Sequence, residues 1–196
     1  VSFNRRLILL LAGWIPTGAI YYVTSYVSEP VWIVPETRID GLIPFNYIGI
    51  WLYLLFYLFV PYAFFVSDKS TLRPMSYAFL LSASISGVVF VFFPSSMIYP
   101  EIQLDSFSAE VLNFVALNDT RNNCFPSLHG SLITICTLGL IHRGSNLRSI
   151  IILSITLLMF YAIIQTRRHV FLDLGAGITI GVISYLISNY VLNRKR

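Results

Sequence analysis

His169 and Asp173 stand four residues apart, and a carboxylate that takes the Nδ1 proton of an imidazole leaves Nε2 free as a nucleophile. A second histidine, His129, follows Pro126-Ser127-Leu128. Pro126 suits the first turn of a helix, where a missing N–H is no loss. The backbone N–H groups around Ser127 to His129 would then stand free at a positive helix end, a ready site for phosphate. Ser127 adds a hydroxyl, and Arg121, Arg167 and Arg168 add forked guanidinium groups that match phosphate oxygens. Two histidines facing each other across such an anion cradle suit phosphoryl transfer through a phosphohistidine, with His169 attacking and His129 protonating the departing oxygen. Zinc is the competing use of two histidines and an aspartate. His169 and Asp173 suit each other, and the arginines would oppose a cation, so no metal and no cofactor are expected.

Membrane helices must position these groups. Of 196 residues, 56% are hydrophobic and 11% charged, against roughly a quarter charged in soluble domains. No water-facing surface of ordinary make-up can be built from that. Apolar stretches at about 7–27, 46–66, 75–93, 126–142, 149–166 and 171–191 are long enough to read as six spans. The first follows Arg5-Arg6 but lacks a small-residue cleavage pattern, so it is read as a retained span.

With a cytoplasmic N-terminus, the inner segments carry Arg5, Arg6, Lys69, Arg73, Arg143, Arg148, Arg194, Lys195 and Arg196, which satisfies the positive-inside rule. The outer segments carry Glu29, Glu36, Asp40, Glu101, Asp105, Glu110 and Asp119, with Arg38, Arg121, Arg167 and Arg168 as their basic residues. The net charge of +4 therefore marks topology, and nucleic acid is not an expected partner. Both histidine motifs fall on the outer side. The long outer loop, 94–125, contains an apolar pattern from Ser106 to Asn118 that suits an interfacial helix.

Cys124 and Cys136 are spaced poorly for pairing and read as two free small apolar residues. His142, in an inner loop, reads as a solvated helix-end residue. Gly177 and Gly181 form a small-residue stripe suited to close packing within the bundle.

The pairing of Pro126-Ser127-Leu128-His129 with His169-x-x-x-Asp173 resembles the type 2 phosphatidic acid phosphatase superfamily of membrane lipid phosphatases and phosphotransferases. In that family a Lys/Arg-Pro motif, a Pro-Ser-x-His motif and an Arg-bearing motif ending in His-x-x-x-Asp meet at the outer membrane surface. The resemblance implies His169 as nucleophile, Asp173 as its orienting partner and His129 as general acid and base.

Three positions depart from the family pattern. Lys69-Ser-Thr-Leu-Arg73-Pro74 has three residues where the first motif has six and falls on the inner side, so Lys69 and Arg73 are read as topology charges. The family's arginine six positions before the histidine corresponds to Ile163, with Arg167 and Arg168 as candidate replacements. Leu128 stands where most of the phosphatases carry glycine, and in this it looks like the branch with inositol phosphorylceramide synthases.

The expectation is an all-α polytopic membrane protein, one domain over 1–196, with six transmembrane helices and both termini cytoplasmic. It would lie in a plasma or inner membrane, with its site on the periplasmic or extracellular side. Its expected activity is metal-independent hydrolysis of a lipid phosphate or pyrophosphate, with a phosphorylated lipid as partner. The alternatives are a head-group phosphotransferase of the same chemistry and a non-catalytic module that binds or transports anionic lipid.

Overall fold

The computed structural model describes residues 1–27, 29–141 and 145–194. His142 and Arg143, like Lys195 and Arg196, lie outside the described residues. The chain is mostly helical. α1 (Phe3–Thr24) leads into a short strand, β1 (Trp32–Ile33), and a one-turn helix, α2 (Arg38–Leu42). A 3₁₀ turn (Tyr47–Gly49) runs into α3 (Ile50–Val66), followed by α4 (Lys69–Phe92) and β2 (Ser95–Ser96). Then come α5 (Phe107–Asn118), α6 (Leu128–Ile141), α7 (Asn146–Gln165) and α8 (Phe171–Asn193). β1 and β2 pair in parallel, Trp32 opposite Ser95 and Ile33 opposite Ser96.

Five helices are long and apolar enough to cross a membrane: α1, α3 with its 3₁₀ turn, α4, α7 and α8. Their outward faces carry exposed Ile8, Ile15, Val23, Leu58, Val88, Phe92, Leu157 and Leu186. Apolar side chains spread over the outer faces of several helices suit lipid better than water. The sixth apolar stretch, α6, has 14 residues, about 21 Å of rise against a hydrocarbon core of about 30 Å. Eleven of those residues are buried, which explains why α6 shows no polar face: it is the axis of the bundle, packed on α3, α4, α7 and α8.

Small residues set the close approaches. A Cβ on Gly177 would strike the backbone of Ser127, and one on Gly181 the backbone of Ser131. The glycine stripe therefore packs α8 on α6 within the chain. Ser131 Oγ seals the contact by donating to the Gly177 carbonyl at 2.8 Å. In the same manner Gly13 of α1 lies against the Ser76 backbone of α4.

Three boundaries differ from the hydrophobicity reading. α6 begins at Leu128, so Pro126 precedes the helix, joined to Phe125 by a cis peptide bond, instead of occupying the first turn. Ser127 takes the capping role, its Oγ accepting the Gly130 N–H at 3.1 Å. α4 begins at Lys69, so Lys69 and Arg73 are exposed residues of its first turns, not of a loop. α8 begins at Phe171, leaving His169 just before the helix.

Candidate functional site

The two histidine segments meet where α6 and α8 begin. The chain leaves α7 through Arg167, whose φ of 48° turns it sharply, and passes His169 and Val170 into α8. Asp40, fully buried, fixes that start: Oδ1 accepts the Phe171 N–H at 2.7 Å, while Oδ2 accepts the Thr37 N–H and hydroxyl, both at 2.7 Å. One carboxylate thus caps α8 and closes the capping box of α2. Ser127 N–H donates to the Asp173 carbonyl at 3.0 Å, tying the entry of α6 to the first turn of α8.

Although His169 lies outside the helix, its Nδ1 is 2.6 Å from Asp173 Oδ2. The extended Val170 swings the imidazole back over the first turn of α8. His169 Nε2 is 3.4 Å from His129 Nδ1, and His129 Nε2 is 3.0 Å from the Tyr53 hydroxyl. One proton arrangement satisfies every atom: Tyr53 O–H donates to His129, His129 Nδ1–H to His169, and His169 Nδ1–H to Asp173. In that state the unprotonated nitrogen of His169 is Nε2, whose electron pair accepts from His129 until that ring moves. The 3.4 Å link is the weakest in the chain.

Asp173 carries a further donor. Cys124 Sγ–H reaches the same Oδ2 at 3.1 Å, and Oδ1 accepts the Leu174 N–H at 2.9 Å. Burial, then the Asp173 charge, pushes the Cys124 thiol well up, so it stays protonated and donating. Among the described residues, Cys124, His169 and Asp173 come near enough to share an ion, their ligand atoms all within 4.8 Å. The donor set argues for hydrogen bonding instead, since a ligating thiol must be deprotonated and the Arg168 guanidinium next in the chain repels a cation.

The arginines divide. Arg167 is buried and committed to backbone, donating to the carbonyls of Ile164, Asp40 and Ile43 at 2.8–3.0 Å, with exposed Glu36 at 3.4 Å. It clamps α2 to the end of α7 and has little left for a ligand. Arg168 pairs with Asp119 at 2.9 Å, and its buried Nε has no hydrogen-bond partner. Asp119 also accepts the Tyr21 hydroxyl at 2.7 Å. Burial raises the Asp119 carboxyl, but Arg168, His129 and the Tyr21 hydroxyl together outweigh it and the net shift is downward; burial lowers Arg168, but Asp119, with Tyr53 and Tyr99, holds it above its ordinary value. Arg121 is exposed and lies over the Tyr99 ring, 5.2 Å from its centroid. Ser127 is buried and serves as the α6 cap.

An apolar cavity of about 400 Å³ opens onto His129 between α1, α3, α5 and α6, walled by Trp14, Leu54, Phe56 and Leu132, with Asp119 among its few polar groups. A polar cavity of about 270 Å³ lies on the other face of α5 and holds Arg121, Arg168 and Tyr99. No protein-family model matches the chain, and neither does any curated protein or solved structure.

Sequence reasoning paired His129, His169 and Asp173 and missed Tyr53, Cys124, Asp40 and Asp119 as their supports. Tyr53 is one aromatic in a helix full of them, and Asp119 is one of seven acids that the charge pattern assigns to one side.

Proposed function

We propose that the protein is an integral membrane lipid phosphatase that hydrolyses a lipid phosphate or pyrophosphate through a phosphohistidine on His169. The observation that carries this reading is the continuous chain Asp173–His169–His129–Tyr53, at 2.6, 3.4 and 3.0 Å. The resemblance to type 2 phosphatidic acid phosphatases in Pro126-Ser127-Leu128-His129 and His169-x-x-x-Asp173 points the same way, as does an apolar cavity wide enough for a lipid tail at His129.

In the first half-reaction, His129 takes up a proton from the entering phosphate, His169 Nε2 attacks phosphorus, the bond to the lipid oxygen breaks, and His129 gives that proton to the departing oxygen. For this the His129 ring gives way, so that phosphorus comes within about 3–3.5 Å of Nε2. Asp173 holds the Nδ1 proton and offsets the charge that develops on the ring, and Arg168 offers charge to the phosphoryl oxygens. In the second half-reaction, water gives a proton to His129 and attacks phosphorus, the P–N bond breaks, and inorganic phosphate leaves. The same intermediate attacked by a hydroxyl acceptor makes the enzyme a head-group phosphotransferase, the reading that Leu128 favours.

In this reading α6 is the sixth crossing, completed by the buried coil that precedes it; backbone off the helix is tolerated at membrane depth when protein covers it. Both termini are then cytoplasmic, and the site faces the outer leaflet of a plasma or inner membrane. The test is phosphate release by detergent-purified protein in EDTA from a panel of phospholipids and isoprenyl pyrophosphates, with and without hydroxyl acceptors. Release without an acceptor, together with acid-labile phosphate on the wild type and none on His169→Ala, is expected. Product that forms only with an acceptor makes it the transferase. Saturable lipid binding with no turnover and no phosphoprotein would leave an anionic-lipid binding module.

A further inference from the structure

We infer that the polar cavity beyond α5 is a second oxyanion site, which takes a phosphate-type group between Arg121 and the unpaired Nε–H of Arg168. The cavity, about 270 Å³, shares no lining residue with the apolar one: Asn113, Ala116 and Leu117 of α5 face it, whereas Phe114, Val115 and Asn118 face the histidine side. One helix thus separates a lipid-sized space from a polar one, and the Arg168–Asp119 ion pair bridges them.

Two observations point to a ligand here. Arg168 is 5% exposed and donates from Nη2 to Asp119, yet its Nε–H, also buried, has no acceptor. A buried charged donor left unpaired is costly, and an incoming oxyanion supplies the missing acceptor. Arg121, exposed in the same cavity, has no ion-pair partner among the described residues. The Tyr99 ring steadies both guanidinium groups, at 5.2 and 5.3 Å from its centroid. Two arginines converging on one ring from different helix ends suit a tetrahedral oxyanion, whose oxygens accept from several directions. Glu101 also lines the cavity, but it is exposed, where solvent and salt screen its charge. Arg167 lines it as well, with its guanidinium already held by carbonyls.

The site's role rests on the proposed phosphatase chemistry; its existence does not. The ligand is either the free phosphate released at His169 or the phosphate of a lipid head group. The test is calorimetric titration of the full chain in phosphatidylcholine nanodiscs with inorganic phosphate, against chloride at equal ionic strength. Saturable binding is expected, weakened about tenfold or more in Arg121→Gln and unchanged within about twofold in His169→Ala, since a charge-assisted contact is lost only in the former. Arg121 is exposed, so its substitution leaves the fold in place. Repeating the titration in discs that contain phosphatidic acid separates the sources: competition assigns the site to a lipid head group, and unaltered binding assigns it to free phosphate. No saturable binding by the wild type would overturn the inference. So would binding lost in His169→Ala and kept in Arg121→Gln, which would belong to the histidines. Acid-labile phosphate on His169 is scored separately, so failure of this site and failure of the phosphohistidine are told apart.

Discussion

The two ends of the bundle use charge in opposite ways. Where α6 and α8 begin, Asp40, Asp173, Arg167, Arg168 and His169 are all buried and hold one another in place. Where α4 begins, Arg5, Lys69 and Arg73 are exposed and line a shallow cavity of about 250 Å³. Arg6 at this end does what a helix-end cation commonly does, donating to the carbonyls of Phe64 and Ser67 at the C-terminal end of α3. Burying ions has a large desolvation cost that a membrane protein has no structural need to bear. An end that bears it is the end to search for chemistry.

The sharpest way to break this contrast is at His169 and Asp173. His169→Ala should abolish turnover, and Asp173→Asn should reduce kcat by about 10⁴-fold, the order expected when an imidazole loses the carboxylate that orients it. Phosphate release and acid-labile phosphate on the protein, measured in variants with unchanged melting behaviour, are the readouts. Normal turnover in both would remove the nucleophile.

Arg168→Met attacks the same end through stability. It strands the Asp119 carboxylate in a largely buried position and should cost about 3–5 kcal/mol near neutral pH. In the wild type, the folded Asp119 value lies below 3.8, so its stabilisation is complete above that value and fades as pH falls through the lowered one. Without Arg168, burial is the largest influence left on Asp119, opposed by the Tyr21 hydroxyl, so the carboxyl should rise and the variant recover stability as pH falls. Melts at pH 7 and at about pH 4 should therefore show the gap between the two proteins narrowing. A constant gap would mean that Asp119 is not what Arg168 balances.

Helix placement and the meeting of the histidines were legible in the sequence because both follow from local rules. Hydropathy runs mark α1, α3, α7 and α8 within about four residues and α4 except for its start, which lies six residues earlier at Lys69, and the apolar periodicity from 106 to 118 becomes α5. The spacing of His169 and Asp173 held even though His169 lies outside the helix, because an extended residue before a helix can bring a side chain onto its first turn. What the residues could not display is which charges are buried. Arg167 and Arg168 are adjacent and chemically alike, yet one binds three carbonyls and the other a carboxylate 49 positions away. That partition is decided by where α2 and the coil after α5 pack.

The adjacent arginines sharpen the comparison further. Arg167→Met should leave the Asp40 and Ile43 carbonyls without their donor and cost about 2–3 kcal/mol, with kcat per folded molecule nearly unchanged. Thermal unfolding and turnover together check this. A loss of kcat at unaltered stability would return Arg167 to the substrate. Cys124→Ala removes one donor from Asp173 Oδ2 and should lower kcat several-fold, whereas Cys124→Ser, which keeps a donor, should restore most of it. Equal losses in both variants would reduce Cys124 to packing.

The smallest effect is expected at the opposite end, and it tests the comparison because Lys69-Ser-Thr-Leu-Arg73-Pro74 looks like the first motif of the resembled family at the wrong spacing. α4 has 24 residues, so Lys69 lies about 35 Å along its axis from Ser95, whose carbonyl accepts the Cys124 N–H beside Asp173. No side chain spans that distance, and no polar chain links the two ends among the described residues. Lys69→Ala and Arg73→Ala should thus leave kcat and KM unchanged and stability within about 0.5 kcal/mol, as for exposed residues without buried partners. A large fall in kcat in either folded variant would move the site down α4 and undo the division between the ends; a shift only in membrane orientation, read by protease protection of the loops, would confirm that these charges act on topology alone.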